Sequence, residues 1–191
     1  MNRIRLASAS PRRREILERL GLGVDLCPSH IEEVRRPGED PEAFALRAAR
    51  EKLDAAGPFP ADEPALAADT IVVIDGEVLG KPRNAGEAAR MLGTIQDRWH
   101  TVFTGLAVAF GGAVQAGVEA SRVKIAPLTP AEIDWYIATG EPMDKAGAYA
   151  LQGIGGLFVE RVEGSCSNVI GLPLPLLRRF FSRLGLFLPT Q

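Results

Sequence analysis

Residues 65–82 read ALAADTIVVIDGEVLGKP, and this stretch decides the predicted fold. Its first half is rich in Val and Ile, as buried strands are, and the Asp75-Gly76 pair is typical of the type I′ turn that joins antiparallel strands. The stretch therefore predicts a hairpin, with Asp69 inside its first strand. Strands that are joined by hairpins as well as separated by helices favour a mixed sheet over an all-parallel one.

Helix starts and further strands surround the hairpin. In each helix start a Ser, Thr, Asp or Asn side chain can accept a hydrogen bond from the first turn. These starts are Ser10-Pro11, Asp40-Pro41, Asn84 with Glu87, and Thr129 with Glu132. RIRLASAS (3–10) is typical of a short strand that runs into a turn. Further strand patterns are VDLCPSHI (24–31), HTVFTGLAVAF (100–110), VEASRVKIA (118–126) and LFVERVEG (157–164), and PLPLLRRFFSRLG (173–185) predicts a last amphipathic helix. The predicted class is α/β without internal repeats.

The length of 191 residues predicts one domain over residues 1–191. A net charge of −2 argues against binding a nucleic acid polymer or an anionic membrane, which reward a broad basic face. No run reaches the length of a membrane span or a secretion signal, so we expect a cytoplasmic protein. Cys27 and Cys166 lack metal-site spacing and are expected to be two buried thiols. His30 and His100 also lack zinc spacing and are treated as ordinary residues.

The stretch LASASPRRREIL (6–17) suggests an anion site. A helix N-terminus offers unpaired N–H groups and partial positive charge, so a phosphate could bind at Ser8, Ser10 and the amides near Arg12. Arg12 and Arg13 fall in the first turn, whereas Arg14 is expected to be solvated. The alternative is that Ser10 only caps the helix and that all three arginines are solvated.

Asp69 interrupts an apolar run, where an ionised carboxylate is costly unless it is paired, hydrogen-bonded or bound to a metal. Together with the adjacent Glu32 and Glu33 it could hold a hard divalent cation through oxygen ligands. The alternatives are that Asp69 caps a neighbouring loop and that the two glutamates form a solvated acidic loop.

Three further features admit a functional and a structural interpretation. Lys52 ends an apolar helix face that includes Phe44 and Ala48, and its stem could simply lie along that face. Lys81 lies in the sequence GKP, which could be an ordinary turn. The Gly-rich stretch DKAGAYALQGIGG (144–156) suits recognition of the edge of a base, or is a structural loop.

Taken in order, six blocks of the chain resemble the Maf family of nucleotide pyrophosphatases, over about residues 4 to 177. The blocks are LASASPRRREIL, REK, AADTIVVIDGEVLGKPRNAGEAARML, HTVFTGLAV, DKAGAYALQGIGG and GSCSNVIGLPL. The resemblance implies a single Maf-like domain with the fold of inosine triphosphate pyrophosphatases, which is an elongated mixed sheet flanked by helices in two lobes with a central cleft. Tyr149 and Gln152 resemble the family branch that acts on dTTP and UTP.

The resemblance also implies roles for individual residues. Arg12, Thr70 and Gln152 match positions associated with the choice of base, and Asp69 matches the proton acceptor. The other polar positions of the substrate pocket are matched by Ser8, Arg13, Glu33, Lys52 and Lys81. Mg²⁺ or Mn²⁺ is expected at Glu33 and Asp69, although the adjacent Glu32 leaves open which glutamate meets the metal. Ser167 and Asn168 receive no role.

The expected reaction is hydrolysis of dTTP and UTP, or of modified pyrimidine triphosphates, to the monophosphate and pyrophosphate by attack of water on the α-phosphorus. The resemblance implies that the protein is a homodimer and that its substrate is a nucleoside triphosphate. The alternative function is that of a non-enzymatic nucleotide-binding regulator of cell division and septum formation.

Overall fold

The computed structural model describes residues 2–29 and 31–188, so His30 lies outside the described residues. The strands are β1 Arg3–Leu6, β2 Gly23–Leu26, β3 Ala65–Ile74, β4 Glu77–Leu79, β5 Trp99–Phe110, β6 Ala113–Ile125 and β7 Val159–Glu163. The α-helices are α1 Pro11–Arg19, α2 Pro41–Ala56, α3 Ala85–Ile95, α4 Pro130–Ala138, α5 Cys166–Ile170 and α6 Leu174–Arg183. Short 3-10 turns span Glu141–Asp144, Ala146–Ala148 and Ile154–Phe158.

The strands of the described residues form one seven-stranded mixed sheet in the order β2-β1-β3-β5-β6-β7, with β4 paired to β3. β1 runs parallel to both β2 and β3, whereas β4 is antiparallel to β3 and β7 is antiparallel to β6. The predicted fold class, an α/β protein with a mixed sheet flanked by helices, is confirmed. No helix of the described residues is long and apolar enough to cross a membrane.

Local sequence signals account for most of the element boundaries. Ser10 caps α1 by accepting a hydrogen bond from the Arg13 amide, and Thr129 with Glu132 forms the predicted capping box at α4. Asp75 and Gly76 both have positive φ, at 50° and 78°, as a type I′ turn requires. The caps and the hairpin turn therefore lie where the sequence predicts them.

Three sequence expectations need correction. β6 begins at Ala113, earlier than the predicted 118–126, because it continues directly from the turn after β5. The short helix α5 was not predicted. Both cysteines are free, but only Cys27 is partly buried, and Cys166 is exposed at the start of α5, so the expectation of two buried thiols is wrong.

The first of two compact units comprises residues 1–69, 104–119 and 171–191. Its main core joins leucines and phenylalanines of α1 and α6 to the inward side chains of β1, β3 and β5. A second, alanine-rich cluster includes Ala49 and Leu53 of α2. A Cβ on Gly105 of β5 would lie 2.0 Å from the carbonyl oxygen of Ala45, so glycine lets α2 pack directly on the sheet.

The second unit comprises residues 70–103 and 120–170 and has its own core, built from β3, α3, β6 and α4. His100 is buried in this unit, and its Nε2 lies 2.8 Å from the Tyr149 hydroxyl. Burial lowers the pKa of His100 to about 4, because the imidazolium would lose its hydration. The folded protein therefore keeps His100 neutral through the mildly acidic range.

We expect His100 to make folding stability depend on pH. The unfolded chain protonates His100 near pH 6.5, whereas the folded chain does so only near pH 4, so stability falls as the pH drops through this window. The slope for one such proton is about 1.4 kcal/mol per pH unit. Urea unfolding at several values between pH 4.5 and 6 should give a shallower slope for His100→Gln than for the unchanged protein. Equal slopes for the two proteins would contradict the lowered pKa of His100 in the folded state.

Candidate active site

Ser8 is the centre of the hydrogen-bonded turn that connects β1 to α1. Its hydroxyl oxygen accepts hydrogen bonds from the Ser10 amide at 3.2 Å and from Nη1 of Arg13 at 3.0 Å. Nε of Arg13 donates to the carbonyl oxygen of Gly171 at 2.8 Å. The turn is thus held by side chains as well as by the helix cap, and both Ser8 and Arg13 are buried.

The three consecutive arginines have different surroundings. Arg13 is buried, Arg12 is partly buried, and Arg14 is exposed and pairs with Glu18 at 2.7 Å. Burial lowers the pKa of Arg13, while the negative charges of Asp69 and Glu33 act in the opposite direction. Arg13 stays charged in any case, since arginine does not deprotonate in proteins. The expectation that Arg14 is solvated is met.

A lysine and two carboxylates form the charged cluster of the first unit. Nζ of Lys52 lies 2.6 Å from Oδ1 of Asp69 and 2.7 Å from Oε1 of Glu33. Lys52 comes from the buried face of α2, and Asp69, only 4% exposed, comes from β3. The two buried members are therefore positioned by regular elements, and one positive charge faces two negative ones.

The pKa values of the two carboxyl groups move in opposite directions. For Asp69, burial alone would raise the pKa, but hydrogen bonding with Glu33 and the charges of Lys52 and Arg13 outweigh burial and lower it. For Glu33, burial of the carboxyl group and the neighbouring Asp69 raise the pKa. Asp69 is therefore the ionised carboxylate of the pair, and Glu33 takes up a proton more readily.

One carboxylate oxygen of Asp69 is a candidate for binding a water molecule or a cation. Oδ2 is buried and has no hydrogen-bond partner within residues 2–29 and 31–188, whereas Oδ1 is held by Lys52. Leaving a buried polar atom unsatisfied is costly, so Oδ2 is suited to a water molecule or a cation. In the described part of the chain no three His, Cys, Asp or Glu side chains group to hold a metal. Mg²⁺ commonly binds one or two carboxylates and completes its shell with phosphate oxygens and water, and Asp69 with Glu33 fits that pattern.

The structure distinguishes the two adjacent glutamates. Both glutamates are exposed, but Glu33 contacts Lys52 and interacts electrostatically with Asp69. Only Glu33 is therefore part of the charged cluster. Sequence alone left this choice open, because both residues have the same side chain and lie in the same loop.

The nine candidate residues divide between the two units. Ser8, Arg13, Glu33, Lys52 and Asp69 interact within the first unit, and Arg12 lies on the same helix as Arg13. The second unit carries Thr70, Lys81 and Gln152. Thr70 follows Asp69 on β3, and Lys81 and Gln152 are both exposed, the first after β4 and the second in the Gly-rich loop.

Comparison with known proteins identifies the family. The family model described as Maf-like protein matches residues 3–184. The chain belongs to the Maf-like protein family. This Maf-like protein is 52% identical to the dTTP/UTP pyrophosphatase of Anaeromyxobacter sp. (strain Fw109-5), over 98% of this chain and 92% of the relative. It is 45% identical to the dTTP/UTP pyrophosphatase of Methylobacillus flagellatus, over 99% of this chain and 96% of the relative.

A solved structure supports the fold of this Maf-like protein. The Ham1 protein of Staphylococcus aureus superposes with a TM-score of 0.54 at 15% identity, covering 95% of this chain and 99% of that one. At this identity the likeness shows a shared fold. The family model and the relatives confirm the resemblance to the Maf family that the sequence blocks indicated.

Asn168 of the Maf-like protein receives a structural explanation. Its side-chain amide is buried in the second unit, and Nδ2 donates to the carbonyl oxygen of Val102 and to the Ser121 hydroxyl, each at 3.0 Å. The Ser121 hydroxyl also donates to the carbonyl oxygen of Ser165. Asn168 therefore ties α5 to β5 and β6. An asparagine in a Gly- and Ser-rich segment gives no sequence signal that it will be buried.

We expect Lys52 to stabilise the fold through its two carboxylates. Lys52→Met leaves them without their cation, and breaking a buried pair typically costs about 3–5 kcal/mol. The control is Lys124→Met, which removes a more exposed pair with Asp97 and should cost less than about 1 kcal/mol. Urea unfolding at neutral pH measures both losses. If both variants lost the same free energy of unfolding, the Lys52 cluster would stabilise the protein no more than an exposed ion pair does.

Proposed function

We propose that this Maf-like protein is a nucleoside triphosphate pyrophosphatase that hydrolyses dTTP and UTP to the monophosphate and pyrophosphate. The observation that carries the proposal is Asp69, a buried, ionised carboxylate with one oxygen held by Lys52 and the other without a partner among the described residues. Relatives of 45–52% identity bear the name dTTP/UTP pyrophosphatase, which supports this substrate class.

In the proposed mechanism Asp69 orients the attacking water and accepts its proton. Its lowered pKa keeps the group ionised at neutral pH, so that Oδ2 can accept a hydrogen bond from water. Lys52 fixes the carboxylate by holding Oδ1 at 2.6 Å. Water then attacks the α-phosphorus, the bond to the bridging oxygen breaks, and pyrophosphate leaves.

The triphosphate is proposed to bind through the basic residues and through Ser8. Ser8 lies just before α1, where the helix dipole favours an anion. Arg12, Arg13, Lys52 and Lys81 are the proposed cationic residues. Arg13 acts chiefly by holding the Ser8 hydroxyl in place, because its own donors reach Ser8 and Gly171. For the base, we propose Arg12, Thr70 and Gln152 as the selecting residues.

We propose Glu33 and Asp69 as the residues that would hold Mg²⁺ or Mn²⁺. Such a cation, when bound, supplies electrostatic stabilisation for the charge that develops on the leaving pyrophosphate. Because the pKa of Glu33 is raised, cation binding at this pair should weaken as the pH falls and Glu33 takes up a proton. The homodimer and the cytoplasmic location stay predictions.

A substrate panel tests the proposed function. Purified protein is incubated with dTTP, UTP, CTP, ATP, GTP, 5-methyl-UTP and 7-methyl-GTP, with Mg²⁺, with Mn²⁺ or with a chelator, and pyrophosphate is measured. We expect release from the uracil and thymine nucleotides that depends on the divalent cation. Preference for a purine triphosphate would overturn the substrate assignment. Binding of dTTP without release of pyrophosphate would instead indicate a nucleotide-binding regulator.

Asp69→Asn tests the role of the carboxylate. Loss of a general base typically lowers kcat by about 10²- to 10⁴-fold, and we expect a decrease in that range for dTTP. The matched control is Asp75→Asn, which changes an exposed aspartate in the hairpin turn after the same strand. Circular dichroism checks that both variants are folded. Near-normal turnover by folded Asp69→Asn would remove Asp69 from the mechanism.

The adjacent glutamates offer a matched pair for the metal. Glu33→Gln should raise the Mg²⁺ concentration for half-maximal activity by about tenfold or more, because the amide is a poorer ligand for a hard cation. Glu32→Gln should change it little, since it is Glu33 that contacts Lys52 in the charged cluster. Titration of Mg²⁺ at saturating dTTP measures both. An equal shift for the two variants, or a larger one for Glu32→Gln, would contradict the assignment.

A further inference from the structure

Gln152 lies in a short exposed turn of the second unit, between the 3-10 turns Ala146–Ala148 and Ile154–Phe158. The backbone on both sides of this turn is bound by side chains from outside it. The Ala150 amide donates to the Tyr136 hydroxyl at 3.1 Å. Tyr136 belongs to α4, is fully buried and packs edge to face on Phe158 at 5.3 Å. The side of the turn that precedes Gln152 is thus fixed to the core of the unit.

Glu141 binds the other side of the turn. Its Oε1 accepts a hydrogen bond from the Ile154 amide at 3.1 Å, and its Oε2 accepts one from the Gly155 amide at 2.9 Å. Hydrogen bonds to a carboxylate are about twice as strong as neutral ones. Both amides open a 3-10 turn, where the first N–H groups have no partner within the turn itself. One carboxylate therefore satisfies two successive backbone donors that follow Gln152.

The sequence of the turn is adapted to this carboxylate. Gly153 has φ +98°, and a Cβ at this position would lie 2.0 Å from Oε1 of Glu141. Only glycine accommodates both the backbone conformation and the close carboxylate. Glu141 is itself held, because its amide donates to the Thr139 hydroxyl and its carbonyl oxygen accepts a hydrogen bond from Nζ of Lys145 at 2.8 Å. These contacts form a clamp around the three residues 151–153.

We propose that Glu141 is a positioning residue that sets the selectivity for thymine and uracil by fixing the turn that carries Gln152. The inference rests on the proposed function, in which Gln152 selects the base. Thymine and uracil offer an acceptor at O4 and a donor at N3, whereas cytosine offers a donor and an acceptor at the corresponding atoms. A glutamine amide separates these patterns only if its position is held to within about 0.5 Å. Glu141 supplies that restraint through the backbone and touches no substrate.

The test compares hydrolysis of dTTP and dCTP by the full chain. Glu141→Gln keeps the shape of the side chain but places an amide NH₂ group against one of two backbone donors. We expect the ratio of kcat/KM for dTTP over dCTP to fall by about tenfold, which corresponds to about 1.4 kcal/mol of lost discrimination. The change should come from a higher KM for dTTP, with kcat within about twofold of normal. Hydrogen exchange of the Ile154 and Gly155 amides should accelerate in the same variant.

Glu132→Gln is the matched control. Glu132 also accepts a hydrogen bond from a backbone amide in the second unit, that of Thr129 at 2.8 Å, but it caps α4 rather than the Gln152 turn. If loss of a carboxylate–amide hydrogen bond in the second unit were enough to change selectivity, both variants would show the change. We expect the ratio of kcat/KM for dTTP over dCTP to fall only in Glu141→Gln. Glu141→Asp keeps the charge but shortens the side chain, so it should give a smaller loss of selectivity and serves if Glu141→Gln does not fold.

Gln152→Ala separates failure of this inference from failure of the proposed function. If Gln152→Ala removes the preference for dTTP and both Glu141 variants retain it, the positioning role of Glu141 is overturned and the proposed function stands. If Gln152→Ala retains the preference, base selection by Gln152 fails and the inference fails with it. In the double variant, Glu141→Gln should lower the ratio no further than Gln152→Ala alone. An additional tenfold loss there would show that Glu141 acts by another route, and would overturn the proposal.

Discussion

The ion pair between Lys52 and Asp69 is the interaction on which the first unit depends. A carboxylate in the apolar strand β3 is unfavourable by itself, and a lysine on the buried face of α2 is unfavourable by itself. At 2.6 Å each supplies the counter-charge that the other requires, and Glu33 adds a second carboxylate at 2.7 Å. The pair allows an ionised Asp69 to exist inside the protein, because removing either partner would leave a buried charge uncompensated. The chemistry proposed for the chain requires that ionised group.

The same cluster leaves a surplus of negative charge. Two carboxylates share one ammonium group, and the pKa of Glu33 rises because burial and Asp69 both disfavour its ionised form. Arg13 adds positive charge from α1, but its donors are directed to Ser8 and Gly171. The divalent cation proposed above would supply the missing positive charge. This electrostatic arrangement supports the proposal that Asp69 and Glu33 hold a cation.

Local signals in the sequence predicted much of the fold. The hairpin at Asp75-Gly76 and the capped helix starts depend on backbone chemistry within a few residues, so one sequence suffices to predict them. The exposure of Cys166 and the burial of Asn168 depend on tertiary packing and were not predictable. For the site, the sequence indicated Asp69 as a costly charge in a strand, but not that its partner would be Lys52. Glu141 gave no signal, because its role depends on amides more than ten residues away.

Not all of the three arginines at the start of α1 are available to bind a ligand, because Arg13 and Arg14 have partners within the protein. Arg14 pairs with Glu18 on the surface, and Arg13 is buried with its guanidinium on Ser8 and on a backbone carbonyl. Arg12 is partly buried. The three arginines, which look alike in the sequence, therefore have three different surroundings in the structure. Arg13 builds the turn around the Ser8 hydroxyl, and contact of Arg12 with the nucleotide stays part of the proposed function.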